Sequence, residues 1–255
     1  RPVPAKRLST QRQTDNARMQ HDKRTDIDCR QRCLIAFDLD DTLFKERDYL
    51  RSGHRVLAGK LAVESGADES VLFRLITEHH PRGIEAALAY LAERGTPSSF
   101  SVDELVEAYR AHTPDISLDA DTERTLQELK RRGHRLVLIT DGSTRHQRAK
   151  LHALGLDRFI EPGAVLISEE TGGDKHTPLP FAIAEERFGK ETTRRIYVGD
   201  NLSKDFRWPN QRGWTSVMLA DHNGINVFPQ QPLQWPGEYR PSACIDNISR
   251  ILEFV

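Results

Sequence analysis

Short runs of consecutive apolar residues recur along the chain and constrain its fold more than any other feature. Leu34-Ile35-Ala36-Phe37 is the first. Similar runs return at Leu136–Ile139, Ala164–Ile167, Ile196–Val198 and Thr215–Leu219, with a weaker one at Ala243–Ile245. Runs of this length without polar alternation mark strands buried on both faces. Between the later ones lie stretches of helical length. Thr122–Arg132 sets Leu126 and Leu129 on one face and stops before Gly133, Arg145–Leu154 is followed by Gly155, and Pro178–Phe188 by Gly189. Asp246–Phe254 is expected to close the chain as a further helix, and the Pro- and Trp-containing Phe228–Pro241 reads as a long surface loop. Strand–helix–strand alternation implies right-handed crossovers, so the expected fold class is α/β, a doubly wound parallel sheet with helices on both faces.

One interval breaks the alternation. Between Phe44 and Leu118 there are only helical patterns, among them Ile84–Glu93 and a capping box, Ser101-Val102-Asp103-Glu104, that opens the next helix. The expected organisation is therefore a core of residues 33–43 and 119–255 with a small all-helical domain, residues 44–118, inserted after the first strand. Its most useful place is over the carboxyl ends of the strands, where such sheets bind ligands. Residues 1–32 hold nine Lys/Arg against four Asp/Glu and few apolar residues. That segment reads as a flexible basic tail.

Composition excludes several classes. The longest apolar run is seven residues, Ala86 to Ala92, far short of the ~20 a membrane span requires. No apolar stretch follows the basic N-terminus, so no secretory signal is expected. Three cysteines make no disulfide framework and point to a reducing compartment, hence a cytoplasmic protein. A formal net charge of −1 gives no reason to expect a nucleic-acid partner.

The residues that follow the apolar runs carry the chemistry. Asp38 and Asp40 come directly after the first run, on one face of an extended chain, within Asp38-Leu39-Asp40-Asp41-Thr42. Two carboxylates held close repel unless a cation or a shared proton lies between them. Taken alone, such residues could equally cap the next helix. The second run leads into Thr140-Asp141-Gly142-Ser143, where Asp141 could contact a substrate or cap a helix. A later run leads into Gly199-Asp200-Asn201, with Asp205 beyond, and Lys175 sits in a loop after Gly172-Gly173-Asp174. Hard oxygen donors with room for water suit Mg²⁺. A metal, a lysine and backbone donors around a carboxylate nucleophile are what phosphoryl transfer requires.

These motifs, in this order, resemble the haloacid dehalogenase-like hydrolase superfamily over roughly Leu34 to Leu252, and the position of the insert resembles its helical-cap subgroup. Lys175-His176-Thr177-Pro178 departs from the Lys-Pro-x-Pro common there. The resemblance implies that Asp38 is the nucleophile and a Mg²⁺ ligand, and that Asp40 is the general acid and base, with its backbone carbonyl on the metal. It further implies that Thr140 and the Asp141 amide bind the phosphoryl group, with Lys175 offsetting charge. Asp200 would ligate the metal, with Thr42, Asn201 and Asp205 in support. The implied activity is Mg²⁺-dependent hydrolysis of a small phosphorylated metabolite, such as a sugar phosphate or nucleotide monophosphate, through an aspartyl-phosphate. A phosphomutase, a phosphonate hydrolase (which needs a cap lysine, here Lys45 or Lys60) and a non-catalytic domain phosphorylated on aspartate are the competing readings. Substrate identity and oligomeric state are not legible in the sequence.

Overall fold

The computed structural model describes residues 32–231 and 234–255. The tail expected over residues 1–32 therefore lies, apart from Arg32, outside the described residues. In chain order the elements are β1 (Cys33–Phe37), α1 (Glu46–Ser65), α2 (Glu69–Glu78), α3 (Gly83–Glu93), α4 (Val102–Ala111), α5 (Ala120–Arg131), β2 (Arg135–Thr140) and α6 (Thr144–Ala153). There follow β3 (Val165–Ile167), α7 (Ser168–Thr171), α8 (Leu179–Phe188), β4 (Arg194–Gly199), α9 (Arg207–Gln211), β5 (Thr215–Leu219) and β6 (Ala243–Ile245).

The six strands form one parallel sheet in the order β3-β2-β1-β4-β5-β6. β1 is central and all five of its residues are buried, as an unbroken apolar run between two layers of helices must be. Ala36 pairs with Val137 on one side and with Tyr197 on the other. This register brings the carboxyl ends of β1, β2 and β4 to one edge, and the order reverses beside β1, where a crevice opens. The chain end differs from expectation. Ile248–Phe254 is a 3₁₀ turn, with Ile248 and Ile251 buried. Apolar residues three apart match three residues per turn and lie on one side of such a turn.

Helices α1–α4 enclose an apolar cluster of their own, Leu57, Ala58, Leu61, Leu72, Ile76, Ala87, Leu91 and Leu105, distinct from the cluster around the sheet. On α1, Leu57, Ala58 and Leu61 share one face by their spacing of one, three and four. Gly83 lets α3 approach α2, because a Cβ there would fall 2.0 Å from the Ile76 carbonyl oxygen. The capping box at α4 is formed: Ser101 Oγ accepts from the Glu104 amide at 3.2 Å, and Glu104 Oε2 accepts from the Ser101 amide at 2.8 Å. Residues 112–119 then return without helix or strand to α5, which Asp119 caps through the Thr122 amide at 2.8 Å. Among the described residues no helix is long and apolar enough to cross a membrane.

Candidate active site

Asp38 is the first residue beyond β1, and its amide still donates to the Val198 carbonyl of β4 at 2.9 Å, so its position is fixed by the sheet. One carboxylate oxygen accepts from the Leu39 amide at 2.7 Å and the other lies 2.7 Å from Lys175 Nζ. Lys175, in the loop between α7 and α8, is fully buried and reaches Asp205 Oδ1 at 2.8 Å as well. Asp205 Oδ1 also accepts from the Tyr197 hydroxyl at 3.1 Å, while Oδ2 accepts from the amides of Asp200 (3.1 Å) and Asn201 (2.8 Å). Asp205 thus gathers the turn after β4 and the lysine around one carboxylate.

The charge in this crevice does not balance. Asp38, Asp200 and Asp205 are all buried and offer oxygens within 4.8 Å of one another. Against these three, Lys175 is the buried cation, in direct contact with Asp38 and Asp205. Burial and the neighbouring carboxylates push Asp200 up to about 9, and burial pushes Asp38 up to about 6 despite Lys175. Burial also opposes charge on Asp205, but Lys175 and Lys204 outweigh it and hold that carboxyl below the usual range. The same contest leaves the Lys175 ammonium well above an ordinary lysine, because Asp205 and Asp38 overcome burial. A surplus of buried carboxylate with oxygen donors alone fits a hard divalent cation. Asp38 and Asp200 are the better placed to hold it, since Asp205 already meets Lys175, the Tyr197 hydroxyl and two backbone amides, whereas each oxygen of Asp38 has one such partner.

Asp40 lies at the rim, with its side chain 19% exposed. Its carboxylate faces α6, where Lys150 Nζ lies 2.6 Å from Oδ1 and Gln147 Nε2 donates to Oδ2 at 3.2 Å. Thr140, buried at the end of β2, accepts from the same Gln147 amide at 3.0 Å. Asp141 does not cap α6; Ser143 does. The Asp141 carboxylate instead accepts from the Lys175 backbone amide at 3.1 Å and pairs with Lys204 at 3.2 Å. Asn201 Oδ1 accepts from the Ser203 amide and hydroxyl at 3.0 and 2.6 Å, and the Thr42 hydroxyl is buried without a hydrogen-bond partner. His176 is exposed, and Trp208 donates to its carbonyl at 2.7 Å.

Several participants carry no signal in the sequence. Asn226 donates to Asp200 Oδ2 at 2.9 Å and accepts from Lys45 Nζ at 2.8 Å. Asp41, with φ 56°, accepts from the amides of Glu46 (3.0 Å) and Val227 (2.8 Å), joining the first turn of α1 to the stretch after β5. The Glu46 carboxyl is pushed up to about 7 by burial and then by Asp40. Gln147 and Lys150 were not distinguishable from the other polar residues of α6.

A model of the family described as haloacid dehalogenase-like hydrolase matches residues 34–207. The glyceraldehyde 3-phosphate phosphatase of Methanopyrus kandleri is 29% identical over 201 residues, covering 72% of this chain and 82% of that protein. The phosphoserine phosphatase of Thermus thermophilus is 29% identical over 220 residues, covering 73% and 88%. The magnesium-bound crystal structure of the HAD-hydrolase YfnB from Bacillus subtilis superposes with a TM-score of 0.55 at 18% identity, over 88% of this chain and 98% of that one, and so shares the fold.

Proposed function

The chain belongs to the haloacid dehalogenase-like hydrolases, and from that premise we propose that it is a Mg²⁺-dependent phosphomonoester hydrolase acting on a small phosphorylated metabolite in the cytoplasm. The observation that carries this reading is the buried Asp38 carboxylate, held by Lys175 and within 4.8 Å of Asp200 and Asp205. The relatives named above act, by their names, on glyceraldehyde 3-phosphate and phosphoserine, which supports a substrate of that size.

In this reading Asp38 attacks phosphorus and becomes an aspartyl-phosphate, while Asp40 gives a proton to the departing alcohol oxygen. Asp40 then takes a proton from water as that water attacks the aspartyl-phosphate, which frees inorganic phosphate and restores Asp38. Thr140 and the Asp141 amide hold the phosphoryl oxygens, and Lys175 offsets their charge. Asp38, Asp200 and the Asp40 carbonyl would hold Mg²⁺, whose role is to neutralise phosphate charge so that an anionic nucleophile can approach. Residues 44–118 serve as a cap over a core of residues 33–43 and 119–255, excluding bulk water from the intermediate. Imine chemistry on a phosphonate is disfavoured, because Lys45 is engaged with Asn226 and Lys60 lies over the Phe100 ring at 4.2 Å.

The test is phosphate release from p-nitrophenyl phosphate. Activity should require Mg²⁺, disappear with EDTA, and fall below about 1% in Asp38→Asn, which removes both nucleophile and charged ligand while nearly preserving shape. Circular dichroism should show the variant folded. Turnover by folded Asp38→Asn above a few per cent of wild type would sink the assignment. A panel of phosphorylated metabolites then ranks substrates by kcat/KM.

A further inference from the structure

We propose that Lys150 is a positioning residue for the acid–base carboxylate Asp40, with Gln147 as its second arm; the inference rests on the phosphatase reading above. Three observations converge on it. Both oxygens of Asp40 are engaged from one helix, Oδ1 by Lys150 at 2.6 Å and Oδ2 by Gln147 at 3.2 Å. Residues 147 and 150 are three apart on α6, so they share a face and can grip one carboxylate from two directions. Finally, Lys150 is only 5% exposed, an unusual state for a lysine without a task.

Asp40 is the carboxylate in ion-pair contact with Lys150, while the charge also reaches the half-buried Glu46 carboxyl from further off. The ammonium lies 4.5 Å from the centroid of the Tyr49 ring and 5.9 Å from that of Phe44, so aromatic faces cover it while Asp40 receives its charge. An ion pair of this kind is weak evidence for stability, since burying both charges costs about as much as their attraction returns. What it does supply is geometry. A carboxylate at the rim has two freely rotating torsions, and a general acid must meet the leaving oxygen within hydrogen-bond reach. Lys150 removes that freedom. The Gln147 amide adds a cross-link, because its two hydrogens are shared among Asp40 Oδ2, Thr140 Oγ1 at 3.0 Å and the Asp141 carbonyl at 2.6 Å. The acid–base residue and the phosphate-binding hydroxyl are thereby held at a fixed separation.

The experiment exploits the leaving group. p-Nitrophenolate departs without protonation, whereas a neutral alkyl alcohol departs only with a proton from Asp40. kcat/KM reports the steps through phosphoryl transfer to Asp38, so the two substrates separate the proton delivery from everything else. Replacing Lys150 by Met keeps length and apolar bulk and removes the charge. In Lys150→Met, kcat/KM for ethyl phosphate should fall about tenfold or more, while that for p-nitrophenyl phosphate falls less than about threefold. Ethanol carries no charge, so a lost contact to an anionic leaving group cannot produce this pattern. Equal losses with the two substrates, or no loss with either, would overturn the proposal. Lys150→Gln, which retains a donor, is measured alongside, and should Lys150→Met fail to fold the same ratio in Lys150→Gln decides. If neither accumulates as folded protein, Lys150 is scaffold and the proposal fails. Wild-type enzyme inactive on both substrates would instead remove the phosphatase reading, and this inference with it.

Discussion

Asp205 shows how closely single residues set the chemistry of their neighbours here. It touches Lys175, Tyr197 and two backbone amides, and it has that room because residue 199 lacks a side chain. A Cβ at Gly199 would lie 2.5 Å from Asp205 Oδ2 and 3.0 Å from Tyr197 Cε1. Gly199→Ala must therefore displace the carboxylate that steadies Lys175. We expect it to cost about 1–3 kcal/mol in urea unfolding, as overpacking does, and to abolish most phosphate release. Full activity with unchanged stability would show that the turn after β4 tolerates the shift. Asp38, Asp40, Thr140, Asp200 and Asp205 could be picked out in the sequence because each follows a strand-forming run, and strand ends meet at one edge whatever the loops do. Lys150, Gln147 and Asn226 could not. Their roles depend on which face of α6 turns inward and on the path of a loop, and both are decided by tertiary packing.

Among the elements, α1 carries the most telling buried group. His54 is 5% exposed, its Nδ1 lies 3.1 Å from Thr77 Oγ1, and its ring neighbours are His80 and Tyr109. Burial, then the nearby His80 and His112, push its pKa down to about 4 from the ordinary 6.5. As pH falls, the unfolded chain binds this proton first, near 6.5, while the folded chain resists until about 4. Stability is therefore complete above about 6.5 and is lost progressively across that window. Thermal unfolding at pH 7 and pH 5 should show a larger drop in Tm for wild type than for His54→Leu, and an identical drop in both would refute the assignment. The capping box at α4 was legible because its two residues answer each other locally. The final 3₁₀ turn was not, since an apolar spacing of three over seven residues serves an α-helix equally well.

Across the molecule as a whole, Phe44 and Tyr49 pack into the sheet's cluster, but among the described residues few polar contacts join the insert to the core away from its two connections. One is the exposed pair Arg145–Glu107 at 4.0 Å, worth at most about 1 kcal/mol. A cavity of about 460 Å³ is lined by Phe44, Lys45 and Asp119, so both connections border open space. An insert so attached should move as a lid. Hydrogen exchange at Phe44–Arg47, at Thr113–Leu118 and across α1–α4 should slow when Mg²⁺ and aluminium fluoride occupy the site, and unchanged protection with binding shown independently would make the insert a fixed wall. The central place of β1 has a different consequence, for the chain's biosynthesis. Its five residues leave the ribosome well before β4, which covers one edge and begins at Arg194, roughly 160 residues later. At ~5–20 residues per second, this fully buried strand waits on the order of ten to thirty seconds for that neighbour. The locally connected helices α1–α4, which enclose a cluster of their own, can fold on the nascent chain within that delay, before the sheet is complete.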